Sequence, residues 1–126
     1  METLTFSAKT IYADKNKEEK YYMIGLADDP INYQNYIIAQ RAFKYDETDV
    51  EQGVGSYYVE VNGQQNSAYK CCTQITVSTS RIVFDIVDRK IKGLNKVIIN
   101  IAGINRTEEF DKILSIVFDG VPVVWE

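Results

Sequence analysis

The chain has no histidine at all in 126 residues. That removes the commonest general base near neutral pH and the commonest transition-metal ligand. It has two cysteines, Cys71 and Cys72, and they are adjacent. Two neighbouring thiols do not build a secreted disulfide framework, and a bridge between them needs unusual peptide geometry. They read as reduced, which places the chain in the cytoplasm. Clusters of Lys and Arg are missing too. Lys plus Arg is 14 against 18 for Asp plus Glu, a net charge of −4. A surface of that sign repels phosphate backbones, so no nucleic-acid partner is expected. No apolar run reaches membrane-spanning length; "KVIINIAGI" is broken by Asn100 and Gly103. The first twenty residues lack the basic-then-apolar plan of a signal peptide. No membrane partner is expected.

Catalytic motifs are equally scarce. There is no Gly-x-Ser-x-Gly elbow and no Ser-x-x-Lys motif. "GVGS" has neither the lysine nor the helix that a phosphate loop requires. The expectation is no enzyme, no cofactor and no metal. At 126 residues with 45% hydrophobic composition, one domain over residues 1–126 is expected, with no repeats and no linker.

What is present is a series of strand signals. "LTFSAKTIYAD" alternates, and "YYMIGLADD" is aromatic and aliphatic up to a turn at Asp28-Asp29-Pro30. "NYIIAQRAF" is apolar on both faces, the mark of a central strand. "SYYVEVNGQ" ends at Asn62-Gly63, a hairpin signal. "CCTQITVST" puts Cys71, Thr73, Ile75 and Val77 on one face, while "RIVFDIVD" turns Ile82, Phe84 and Ile86 inward. "KVIINIAG" closes the series. From Asn105 the period changes: Phe110, Ile113, Leu114, Val117 and Phe118 fall at helical spacing, with Asn105 or Thr107 as cap and Gly120 as stop. "VPVVWE" adds a short strand or covers the sheet edge with Trp125. The fold class is therefore α+β and predominantly antiparallel β: about seven strands in a meander or half-open barrel, with one C-terminal amphipathic helix.

The segment "KYDETDVEQGVGSYY" places Asp46, Glu47, Asp49 and Glu51 close together. Counted as a calcium loop from Asp46, it presents Val50 where a ligand is needed and Glu51 where glycine is needed. Exposed carboxylates keep ordinary pKa values and make poor acid–base pairs. The plain reading is that Asp46 caps a short helical turn ended by Gly53. Within the strands, Arg41 needs an acidic partner if buried, either Glu60 or an acid of the 46–51 loop; otherwise both face solvent. The nine tyrosines pack well on sheets, but tyrosine beside acids also suits a protein-binding surface. Candidate partner-binding residues are Asp28, Asp29, Tyr33, Tyr45, Asp46, Glu47, Asp49, Glu51 and Tyr57.

An ordered set of motifs over roughly the middle half of the chain resembles the family called immunity protein 10. "GLADD" ends a strand, and "YIIAQRAF" is similar to the family's aliphatic-aliphatic-x-Gln-Arg segment. "YDETDVEQGVGSYYVEVNGQ" is similar to its acidic loop with glycine, leading to Tyr-x-Glu, and "SAY" opens the next strand. Where family members often carry Gly-Gly after that tyrosine, this chain has Lys70-Cys71-Cys72. The resemblance implies a cytoplasmic protein encoded beside a polymorphic toxin. Its partner would be that cognate toxin, covered sterically and without turnover, and an acidic surface would suit a basic toxin such as a nuclease. The family motif residues Gln40, Arg41, Asp49, Gly53, Tyr58 and Glu60 would serve either the fold or the contact. A second reading remains open, a small β-barrel adaptor or apolar-ligand carrier. A large apolar pocket would favour that reading, and an acidic patch with exposed tyrosines would favour the first.

Overall fold

The computed structural model describes residues 2–126. Among them ten strands form two five-stranded sheets. The chain runs β1 (Glu2–Ser7), β2 (Thr10–Asn16), β3 (Tyr21–Ala27), β4 (Tyr36–Ala42), helix α1 (Glu47–Glu51), β5 (Tyr58–Val61) and β6 (Ser67–Tyr69). It continues with β7 (Cys72–Val77), β8 (Arg81–Ile86), β9 (Leu94–Asn100), helix α2 (Glu108–Val117) and β10 (Val123–Trp125). The first sheet has the order β1-β9-β8-β7-β10 and the second β2-β3-β4-β5-β6. The class is α+β with mostly antiparallel pairing, as the sequence indicates. The strands are more numerous than the seven read from sequence, and they do not close into a barrel.

Much of the difference arises at two residues. "LTFSAKTIYAD" reads as one strand, but the chain changes sheets at Ala8-Lys9. The Ala8 amide bonds Asn100 of the first sheet, and the Lys9 amide bonds Ala27 of the second. β1 then lies parallel to β9, and β10 lies parallel to β7, so both edges of the first sheet are parallel. The second sheet is the antiparallel meander that its turn signals promise. The "NYIIAQRAF" strand, β4, sits at its centre.

A shared core lies between the sheets. Period-two alternation turns Ile24, Leu26, Ile37, Ala39, Val59 and Val61 of the second sheet toward Ile75, Val77, Ile82, Phe84, Val97 and Ile99 of the first. Helix α2 packs across β2, β3 and β4. It buries Phe110, Ile113, Leu114 and Val117, the spacing expected. Thr107 is the cap, accepting from the Phe110 amide at 3.0 Å. Phe118 joins the layers, its ring 5.1 Å from Tyr57 and 5.9 Å from Phe84. Full burial of a side chain of this size contributes about 1.5–3 kcal/mol.

The cysteines follow a different geometry from simple alternation. A register shift between Cys72 and Gln74 inserts an extra residue in β7. Cys72 points inward and Thr73 is exposed, while Cys71 precedes the strand and is also buried. Both thiols are free, with their sulfurs 4.0 Å apart. Lys70, just before them, has φ +51°. That is the left-handed conformation which glycine adopts without strain.

Candidate functional site

The second sheet has one face against the core and α2, and another that faces outward. Cross-strand pairing lines up the outward residues in rows. One row is Tyr12, Gly25, Ile38, Glu60 and Ser67; the next is Asp14, Met23, Gln40, Tyr58 and Tyr69. Flanking them are Thr10, Ala27 and Tyr36 on one side, and Asn16, Tyr21 and Ala42 on the other. No Lys or Arg occupies these outward strand positions, whereas Asp14 and Glu60 do. Tyr12 is 47% exposed and Tyr69 38%, although large apolar side chains are normally covered.

Glu60 organises this face. The Tyr36 hydroxyl donates to its Oε2 at 2.5 Å and the Tyr58 hydroxyl to its Oε1 at 2.7 Å. The ring of Tyr33 stands edge-on to Tyr36 at 5.2 Å, and Tyr69 lies 5.4 Å from Tyr58. A row of four rings thus runs across the sheet with a carboxylate at its middle. Burial against these neighbours, with the carboxylate second, pushes the Tyr36 hydroxyl up to about 12. The Tyr58 hydroxyl is also raised, chiefly by burial.

Two grooves open on the face. One, of about 350 Å³, has Gly25 and Ile38 in its floor and is walled by Tyr12, Tyr33, Tyr36 and Glu60. The other, of about 380 Å³, is lined by Tyr21, Gln40, Tyr45, Asp49, Tyr58 and Tyr69.

The acids singled out in the sequence lie at opposite ends of this face, because β3 and β4 run antiparallel between them. At one end, the Asp28 carboxylate accepts from the backbone of Gln34 and Asn35 and from the Asn35 side chain. Asp29 accepts from the amides of Ile31 and Asn32. Those backbone bonds, Gln34 first for Asp28 and Asn32 first for Asp29, hold both carboxyls below the usual value. The loop they shape presents Tyr33, which is 55% exposed.

At the other end stands α1. Asp46 accepts from the Asp49 amide at 2.8 Å and Asp49 accepts from the Asp46 amide at 3.1 Å, a reciprocal cap. Gly53, at φ +77°, turns the chain after α1, as read from the sequence. Glu47 and Glu51 take no part in the cap and are exposed. The four acids do not converge; among the described residues no three His, Cys, Asp or Glu side chains gather as a metal site requires. The Tyr45 hydroxyl is held by the Ala42 amide and the Ser56 carbonyl.

Tyr57 lies elsewhere. It is 2% exposed, and its hydroxyl accepts from the Cys72 amide and donates to the Cys72 carbonyl. Its ring belongs to the core. Arg41 also departs from expectation. Gln40 and Glu60 face outward, so Arg41 faces inward and cannot pair with Glu60. Its Nε donates to the Val117 carbonyl at 2.9 Å and its Nη2 to the Asp119 carbonyl at 3.1 Å. Its guanidinium lies 5.9 Å from the rings of both Tyr45 and Tyr57. The carbonyl ends of α2, not a carboxylate, satisfy this charge. Of the motif residues, Arg41 bonds the end of α2 and Gly53 turns the chain after α1, while Gln40, Tyr58 and Glu60 lie on the open face.

Tyr12, Met23, Gly25 and Ile38 do not stand out in the sequence. Parity finds them: each alternates with a residue in or packed against the core, namely Ala13, Ile24, Leu26 or Ile37. No helix among the described residues is long and apolar enough to cross a membrane.

With this geometry in place, a comparison of the chain with known proteins gives one match. The family model described as Immunity protein 10 matches residues 7–116 of the 126. No curated protein and no solved structure matches the chain.

Proposed function

The chain belongs to the Immunity protein 10 family, and on that premise we propose that it binds a cognate toxin domain and blocks it in the cytoplasm of the cell that makes both. One observation carries the choice of surface. The outward face of the second sheet bears six of the nine tyrosines: Tyr12, Tyr21, Tyr33, Tyr36, Tyr58 and Tyr69. Rigid aromatic side chains give contact area at low entropic cost and dominate protein interfaces. The same face carries carboxylates without Lys or Arg at its outward strand positions. A basic toxin surface, such as that of a nuclease, fits it by charge. The mode of action is cover: the toxin's working face is occluded and no bond is made or broken.

The barrel reading finds less support. The strands form two open sheets around a filled core, and the grooves lie on the surface.

The test uses the toxin domain encoded beside this chain. Co-expression should suppress its toxicity, and the two proteins should co-purify. Replacing Tyr33 and Tyr69 together by Ala should weaken the complex about thirtyfold, as loss of an interface anchor of about 2 kcal/mol does. Charge reversal at Glu47 and Glu51 should slow association and flatten its salt dependence, with the Asp46–Asp49 cap left whole. Toxicity unchanged by co-expression, with no complex recovered, would refute the reading.

A further inference from the structure

Five aromatic rings elsewhere in the molecule have a cation of the chain beside them. Lys15 lies 5.9 Å from the Tyr22 ring and 5.8 Å from Phe43. Arg41 serves Tyr45 and Tyr57, and Arg106 lies 5.8 Å from Trp125. The groove over Gly25 is the contrast. Its rings are Tyr12, Tyr33 and Tyr36, its lining includes Asp29 and Glu60, and none of its lining residues is Lys or Arg. At its rim, Lys9 acts on Asp29.

We propose that this groove is a receptor for one arginine side chain of the partner protein, stacked among Tyr12, Tyr33 and Tyr36 and paired with Glu60. The proposal rests on the immunity reading for its partner and deepens it by naming the group recognised. Four features support it. The volume, about 350 Å³, is at the bottom of the range of small-molecule pockets, roughly 300–1,000 Å³, and suits a single side chain. The floor is open because residue 25 has no side chain; a Cβ there would sit 3.4 Å from Ile38 Cγ2 and 3.9 Å from Tyr12 Cδ1. Each Glu60 oxygen accepts one tyrosine hydroxyl, and a carboxylate offers about four acceptor sites, so both oxygens can still receive a guanidinium N–H. The tyrosine hydroxyls also fix the carboxylate in place before any partner arrives, which cuts the ordering cost of binding. Arginine is favoured over lysine because its plane stacks on aromatic faces and its fork matches a carboxylate.

The experiment is a titration of the isotopically labelled full chain with N-acetyl-arginine methylamide, followed by NMR. Parallel arms use the citrulline analogue, which is neutral and nearly isosteric, and the lysine analogue. The arginine compound should shift the Gly25 and Ile38 amides and the rings of Tyr12, Tyr33 and Tyr36. The citrulline compound, and the arginine compound on Glu60→Gln, should bind at least about tenfold more weakly, the effect of losing one charge-assisted bond. Gly25→Ala raises the floor with only ordinary contacts and should abolish the shifts; Tyr33→Ala, on an exposed loop, is the second variant. Equal binding of arginine and citrulline analogues, equal binding of the lysine analogue, or shifts scattered away from the groove would each overturn the proposal. The same variants are then measured against the neighbouring toxin domain. If wild type binds it and all three variants bind as tightly, the groove assignment fails and the immunity reading survives. If wild type does not bind it, the immunity reading fails, and the titration alone decides the groove.

Discussion

Replacing Arg41 by Ala removes the link between the centre of the second sheet and the end of α2. The guanidinium makes two hydrogen bonds, 2.9 Å to the Val117 carbonyl and 3.1 Å to the Asp119 carbonyl. Hydrogen bonds from a charged donor are worth about 1.5–3 kcal/mol each when buried. The Val117 bond is half-buried and counts at the lower end, about 1.5 kcal/mol, while the exposed Asp119 bond competes with water and adds at most about 0.5 kcal/mol. A cation at a helix C-terminus adds about 0.3–1 kcal/mol. The expected loss is about 2–3 kcal/mol, or about 8–12 °C in Tm for a chain of this length. Arg41→Lys keeps the charge without the fork and should lose about half as much. Denaturant unfolding of Arg41→Ala, Glu60→Gln and the double variant gives the decisive cycle. The two residues face opposite sides and share no partner, so their effects should add to within about 0.5 kcal/mol. A loss under about 0.5 kcal/mol for Arg41→Ala would refute the role assigned to it. A coupling energy above about 1 kcal/mol would show that Arg41 and Glu60 interact after all.

Three further outcomes are expected. Lys70→Gly should stabilise the fold by about 0.5–1 kcal/mol in thermal unfolding, since φ +51° strains any side chain; a loss of stability would contradict the backbone described. Asp28 and Asp29 are held below 3.8 when folded. Their contribution is present above that value and is lost as pH falls through the folded values, so Asp28→Asn should flatten the acid limb of a stability–pH curve. Tyr36 behaves in the opposite sense: its folded value of about 12 exceeds the unfolded 10.0. Its stabilising effect holds below pH 10 and fades between 10 and about 12. Glu60→Gln should bring its tyrosinate absorbance transition to lower pH, and an unmoved transition would remove Glu60 as a cause.

The elements with strong local signals are legible in the sequence. α2 shows its period and cap, β4 its two apolar faces, and α1 its capping aspartate and closing glycine. The sheet change at Ala8-Lys9 is not legible, because alternation runs on through it and only hydrogen bonds to distant strands divide it. The parallel edges formed by β1 and β10 depend on pairings 93 and 48 residues away, such as Phe6 with Ile99 and Val123 with Ile75, which are close to invisible to a local pattern. The bulge at Cys72–Gln74 likewise breaks a face that alternation joins. The functional face divides in the same way. Its carboxylates and tyrosines stand out by type, but which of them share a surface is set by register. Register removes Tyr57, turns Arg41 inward, and brings Tyr12, Gly25, Ile38 and Glu60 into one row from four strands.

Hydroxyl-radical footprinting of the chain, free and bound to the neighbouring toxin domain, asks which face is covered. Tyr12, Tyr33 and Tyr69 lie on or beside the second sheet and are exposed; Trp125, 45% exposed, lies at the edge of the first. Binding should protect the three tyrosines and leave Trp125 as reactive as before. Protection of Trp125 with the tyrosines unchanged would place the toxin on the other sheet and contradict the surface proposed.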